Sequence, residues 1–150
     1  MIPKTPVEKL RIIFRNALRR GYVRNASLDP VGSAGVHVIL EAAEVVIVRI
    51  DSRFGGCYWL SDRRVLREAE DRIRELFPYD ALRSAHWMFR DLRERMSKMQ
   101  SSYEVTTLKS TFFDRIEIDL ELGTTVMEGL GSAYPPTLSF LCWLVRRPPT

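Results

Sequence analysis

Apolar residues recur at helical spacing in the first twenty positions. Val7, Leu10, Ile13, Phe14, Ala17 and Leu18 make one stripe, and Arg11, Arg15 and Arg19 stack at i, i+4, i+8 on another face. Thr5, Pro6 and Glu8 supply N-cap, N1 and N3. Gly21 follows Arg19 and Arg20, where a left-handed C-cap residue is wanted, so a basic helix over about 6–20 is expected. Tyr22 to Val31 is polar and ends in the turn signal Asp29-Pro30, and Gly32 to Gly35 loosens the chain further.

The pattern then shortens to period two. Val36, Val38 and Leu40 alternate, the short EAAE segment suits a hairpin, and Val45 to Ile50 reads as its second strand. Arg53 to Gly56 turns the chain into Cys57-Tyr58-Trp59-Leu60, which completes a three-stranded meander. Ser61 and Asp62 are placed to cap a second helix, Arg63 to Phe77, with Val65, Leu66, Ala69, Ile73, Leu76 and Phe77 at helical spacing and Pro78 as its stop. Asp80 can cap a third, from Ala81 to about Met99. Tyr103 to Lys109 and Phe112 to Leu122 read as strands. In the latter, Phe112, Ile116, Ile118 and Leu120 oppose Glu117, Asp119 and Glu121, the pattern of a half-buried antiparallel strand with an acidic outer side. Thr124 to Ser132 is ambiguous, Tyr134-Pro135-Pro136 turns, and Leu138 to Val145 reads as a last strand. The expected order is α-βββ-αα-βββ: an α+β fold with an antiparallel sheet packed against two or three helices. Without an internal repeat or linker, 1–150 is expected to be a single domain with a short tail over about 146–150.

Composition sharpens this picture in one place. The net charge of +4 is unevenly spread. Residues 1–24 hold seven Lys/Arg against the single acid Glu8, +6, while the rest of the chain holds sixteen basic and eighteen acidic residues, −2. No apolar run is long enough to span a bilayer, and the N-terminus lacks the apolar stretch and small-residue site of a secretory signal. Cys57 and Cys142 each sit in an apolar run and are expected to pack as small hydrophobes in an intracellular, reducing compartment. Without a secretion signal, the glycosylation pattern Asn25-Ala26-Ser27 is a chance match.

Catalytic patterns are thin. His37 and His86 have no metal-ligand spacing to the cysteines, and there is no phosphate-binding loop, dinucleotide glycine pattern or GxSxG. A Cys57/His37 pair lacks an activating environment, since apolar neighbours raise a thiol pKa. Clustered carboxylates (Glu41, Glu44 and Asp51 with Glu117, Asp119 and Glu121) can hold Mg²⁺ if their faces meet, but alternation alone accounts for them as solvated strand positions. No enzyme activity, cofactor, metal or small-molecule substrate is expected.

The basic helix carries more. Lys4, Arg11, Arg15, Arg19, Arg20 and Arg24 form a patch suited to an acidic partner or a phosphate backbone, with Tyr22 beside it for base stacking. A basic amphipathic helix also lies on anionic membranes, though here the apolar stripe is wanted by the core. Trp87, Met88, Arg90 and Met96 have interface composition, and the last strand offers an edge for β-addition. The leading expectation is a non-catalytic interaction or assembly module, as a subunit of a complex or a homo-oligomer. The alternative is a nucleic-acid-binding protein, for RNA or DNA, using the same helix.

Overall fold

The computed structural model describes residues 4–30, 39–86 and 115–147. Its first element, α1 (Pro6–Arg19), has the ends read from the sequence. The Glu8 N–H donates to Thr5 Oγ1 at 3.2 Å, and Pro6 occupies the first turn. At the other end Gly21 has φ +76°, and the N–H groups of Gly21 and Tyr22 donate to the carbonyls of Leu18 and Ala17. That is a Schellman closure, and it turns the chain sharply toward the first strand.

Five antiparallel strands follow in sequential order: β1 (Ala26–Leu28), β2 (Val46–Asp51), β3 (Cys57–Ser61), β4 (Arg64–Ala69) and β5 (Arg72–Pro78). A 3₁₀ turn at Tyr79–Ala81 leads into a second antiparallel sheet, β6 (Leu82–His86), β7 (Ile116–Leu120) and β8 (Gly123–Met127), before a 3₁₀ turn (Gly131–Ala133) and α2 (Tyr134–Arg146). One buried cluster unites both sheets and both helices: Leu10 and Phe14 of α1, Val48, Tyr58, Leu60 and Phe77 of the larger sheet, Ile116 and Ile118 of the smaller, and Phe140 and Leu141 of α2. The class is α+β, with two antiparallel sheets and two helices among the described residues.

Four parts of the expected order are corrected. The helix expected over Arg63 to Phe77 is the β4–β5 hairpin. Its turn is Glu70-Asp71, both residues with positive φ (53° and 61°), and Ala69 pairs with Arg72 across it. Both faces of this sheet are covered. Val65 and Phe77 face the main core, while Leu66 packs with Cys57 and Trp59 in a smaller cluster on the reverse side, with Ile39, Leu40, Val46 and Ile73 against it. Apolar residues therefore fall on both parities, and a bulge between Val65 and Leu66 breaks the alternation further. The result imitates a helical stripe.

The expected third helix begins as strand β6; its remainder lies outside the described residues, as do Val36, Val38 and Tyr103 to Lys109. The expected last strand is α2. Pro135 and Pro136 belong to its first turn, where no N–H is missed, and the buried positions Pro136, Thr137, Phe140, Leu141 and Leu144 follow helical spacing. An edge for β-addition at Leu138 to Val145 falls with that strand. Finally, the partner of β2 opposite β3 is β1, so the expected hairpin around Glu41–Glu44 is replaced by a turn in which the Glu44 N–H donates to the Glu41 carbonyl.

Candidate functional sites

Two polar surfaces stand out. The first is the outer side of α1. Leu10 and Phe14 are fully buried, and Val7, Ile13, Ala17 and Leu18 are partly buried against the same core, so the apolar stripe packs inward. Lys4, Arg15, Arg19, Arg20 and Arg24 are all exposed. Among the described residues no carboxylate pairs with any of the five. Arg11 differs: its Nη2 donates to Asp29 Oδ1 at 2.8 Å and its Nε lies 3.3 Å from both carboxylate oxygens. The hydrogen bond to Asp29 is the main cause that raises the Arg11 pKa. The face thus carries five unneutralised cations beside Glu8, with Ile12 and Tyr22 as exposed apolar groups; Tyr22 is 68% exposed.

The Arg24 main chain is held where it is by the residue after it. Asn25 donates from Nδ2 to the carbonyls of Asp51 (2.9 Å) and Leu130 (2.6 Å), and its Oδ1 accepts from Ser132 Oγ (2.9 Å) and the Ala133 N–H (3.1 Å). The Arg24 N–H donates to the same Ser132 hydroxyl. Asn25 therefore ties the approach to β1 to the end of β2 and the start of α2. With both amide protons engaged, its side chain is a structural group.

The second surface is the face of the smaller sheet turned from the core. Register pairs Ser84 with Asp119 and His86 with Glu117, so the four side chains share one face. Ser84 Oγ donates to Asp119 Oδ2 at 2.6 Å, and His86 Nε2 lies 3.2 Å from the same oxygen. One donor atom each from His86, Glu117 and Asp119 lies within 4.8 Å of the others. The order Ser–Asp–His is not that of a hydrolytic triad. There the imidazole stands between hydroxyl and carboxylate to take the hydroxyl proton, whereas here both groups converge on the carboxylate.

The sequence had placed His86 on a helix and Glu117 and Asp119 on a solvated strand face, so this grouping was missed; β6 being a strand is what creates it. The other weighed carboxylates are elsewhere. Glu44 is buried against Arg64, Asp51 pairs with Arg49, and Glu121 with Arg83. The Cys57 thiol, buried first of all and beside Glu68, is pushed up to about 11, which leaves it a poor nucleophile. His37 and the expected interface residues Trp87, Met88, Arg90 and Met96 lie outside the described residues, although Leu82 and Ala85, the first members of their supposed helical stripe, are strand residues.

Among the described residues no helix is long and apolar enough to cross a membrane. Comparison with known proteins gives no match to a family model, a curated protein or a solved structure.

Proposed function

We propose that this chain is a non-catalytic interaction module that docks, as a subunit of a larger complex, through the outer face of α1 onto an acidic surface of a protein partner. The observation that carries this is a contrast along α1 and its flanks: Arg11 is neutralised by Asp29, while Lys4, Arg15, Arg19, Arg20 and Arg24 face solvent without a carboxylate among the described residues. Unpaired like charges on one face repel one another, and an anionic partner relieves that repulsion while gaining bidentate contacts to guanidinium. Ile12, exposed in the middle of the cationic stretch, adds a small apolar contact.

A second reading is favoured by Tyr22. A 68% exposed aromatic ring between Arg20 and Arg24 suits stacking on an unpaired base, with the arginines on the phosphates.

The test is titration of the intact chain with three probes, poly-glutamate, a single-stranded RNA and a duplex DNA, across a salt series. The protein reading expects saturable poly-glutamate binding that is lost in the Arg15→Glu/Arg19→Glu/Arg20→Glu variant. Tighter binding of RNA, weakened by Tyr22→Ala, selects the second reading. Equal binding by wild type and the charge-reversed variant sinks both.

A further inference from the structure

We propose that His86, Glu117 and Asp119 form a site for a first-row divalent transition-metal ion of the Zn²⁺ or Co²⁺ kind. This inference is independent of the docking face on α1.

The donor set is the first support. One imidazole nitrogen and two carboxylate oxygens lie within 4.8 Å of one another. Around a tetrahedral ion with bonds of about 2.1 Å, ligand atoms stand about 3.4 Å apart, so closure asks for small side-chain rotations and no movement of the strands. A nitrogen ligand in the set favours a transition metal over Ca²⁺ or Mg²⁺, which prefer oxygen throughout.

Placement is the second. His86 and Glu117 are direct cross-strand partners, and Glu117 and Asp119 stand two apart on β7. The hydrogen-bonded ladder therefore fixes where all three side chains originate. Ser84 supplies the third support. Its hydroxyl donates to Asp119 Oδ2 at 2.6 Å and so helps to hold this carboxylate in place; such supporting hydrogen bonds are what orient metal-binding carboxylates. Exposure of the His86 and Asp119 side chains, 32% and 22%, admits a hydrated ion while keeping the site partly out of water. All three residues also make further polar contacts, and the ion enters in competition with them.

The experiment uses the intact chain after chelator treatment. Isothermal titration with Zn²⁺ is expected to give one ion per chain, and Co²⁺ to give visible d–d absorption of a low-symmetry nitrogen/oxygen site. His86→Ala, Glu117→Gln and Asp119→Asn should each weaken Zn²⁺ by about tenfold or more, Ser84→Ala by up to about tenfold, and the distant Glu70→Gln not at all. Circular dichroism checks that each variant is folded. A measurement on the wild type guards against unfolded variants: Co²⁺ should selectively shift the ring signals of one histidine in proton NMR, and those signals should be missing from His86→Ala. No saturable binding of either ion, or one-to-one binding that survives both His86→Ala and Asp119→Asn, overturns the site. So does a Co²⁺ shift confined to His37.

Discussion

Arg64 grips the Glu44 carboxylate with both edges of its guanidinium, Nε to Oε2 at 2.9 Å and Nη2 to Oε1 at 2.8 Å, and the Glu44 side chain has no solvent exposure. Ser61 Oγ donates to the same carboxylate at 2.6 Å and the Glu41 N–H at 2.9 Å, while Arg64 Nη2 also reaches the Ile39 carbonyl. The ion pair thus pins the chain before β2 onto the β3–β4 turn. Tyr79, whose hydroxyl donates to the Ser61 carbonyl, extends the network to the start of the second sheet.

Removing one partner leaves the other charge buried. Glu44→Ala should therefore cost about 3 kcal/mol, read as a lowered urea midpoint at neutral pH. An unchanged midpoint would mean that Arg64 finds another acceptor, with Glu75, 3.7 Å from its Nη1, the nearest recorded carboxylate.

The same pair sets an acid limit. Burial alone would raise the Glu44 carboxyl, but hydrogen bonds from Arg64, Ser61 and the Glu41 N–H outweigh it and hold it below the usual carboxylate range. A carboxylate depressed in the folded state contributes stability that is fully present above its unfolded pKa, about 4.3, and is lost as pH falls through the lower folded value. Wild type should lose stability steeply below about pH 4. Glu44→Ala should start lower and fall less over the same interval, which urea midpoints at pH 7, 5 and 3 would show.

Gly129 has φ +70° and lies against the β2–β3 turn, where its carbonyl accepts from the Arg53 N–H at 2.8 Å. A Cβ there would run into Ser52 Oγ and stand 3.0 Å from the Arg53 backbone nitrogen. Strained φ and collision act together, so Gly129→Ala should cost about 2 kcal/mol in chemical unfolding. Gly21→Ala shares the positive φ but meets nothing within 4 Å, so it should cost less, about 1 kcal/mol. Equal costs at the two positions would remove the steric part of the argument.

Asn25 satisfies four hydrogen bonds with one side chain, linking residues more than a hundred positions apart. Asn25→Ala takes the acceptor from the Ser132 hydroxyl and leaves the Leu130 carbonyl and the Ala133 N–H with only their 3.0 Å bond to each other. A loss of about 2 kcal/mol is expected. Hydrogen exchange should localise it to the start of α2. Unchanged exchange there would contradict the bonding of its side chain.

How much of this could be read from the sequence depended on how local the causes were. The helix 6–20 was legible because cap, stripe and stop all lie within seventeen residues, and its cationic face came with it. The strand Ile116–Leu120, within the expected Phe112 to Leu122, was legible because its buried residues Ile116 and Ile118 alternate with polar ones. The β4–β5 hairpin was not. Glu70-Asp71 adopts left-handed backbone without the Gly or Asn that advertises such a turn, and burial on both faces erased period two. In α2, apolar residues crowd nearly every side and the Pro pair reads as a turn until its place in the first helical turn is known. The His86–Asp119 contact spans thirty-three residues and depends on which secondary structure residue 86 adopts. Local pattern carries no record of it.

Arg11 and Arg15, one turn apart on α1, give the sharpest discrimination of the docking proposal. Arg11 is committed to Asp29, with side chains 36% and 47% exposed, and a pair at that exposure contributes about 1 kcal/mol at most. Arg15 has no such partner among the described residues. Arg15→Ala should weaken poly-glutamate binding by about fivefold, the equivalent of about 1 kcal/mol for one exposed contact, with stability unchanged. Arg11→Ala should do the reverse: a small loss of stability and binding within about twofold of wild type, because its charge is already neutralised. Asp29→Ala completes the comparison by freeing the Arg11 guanidinium, and it should tighten poly-glutamate binding. If Arg11→Ala weakens binding as much as Arg15→Ala and Asp29→Ala changes nothing, the helix acts only through its total charge, and the contrast between paired and unpaired arginines has no part in recognition.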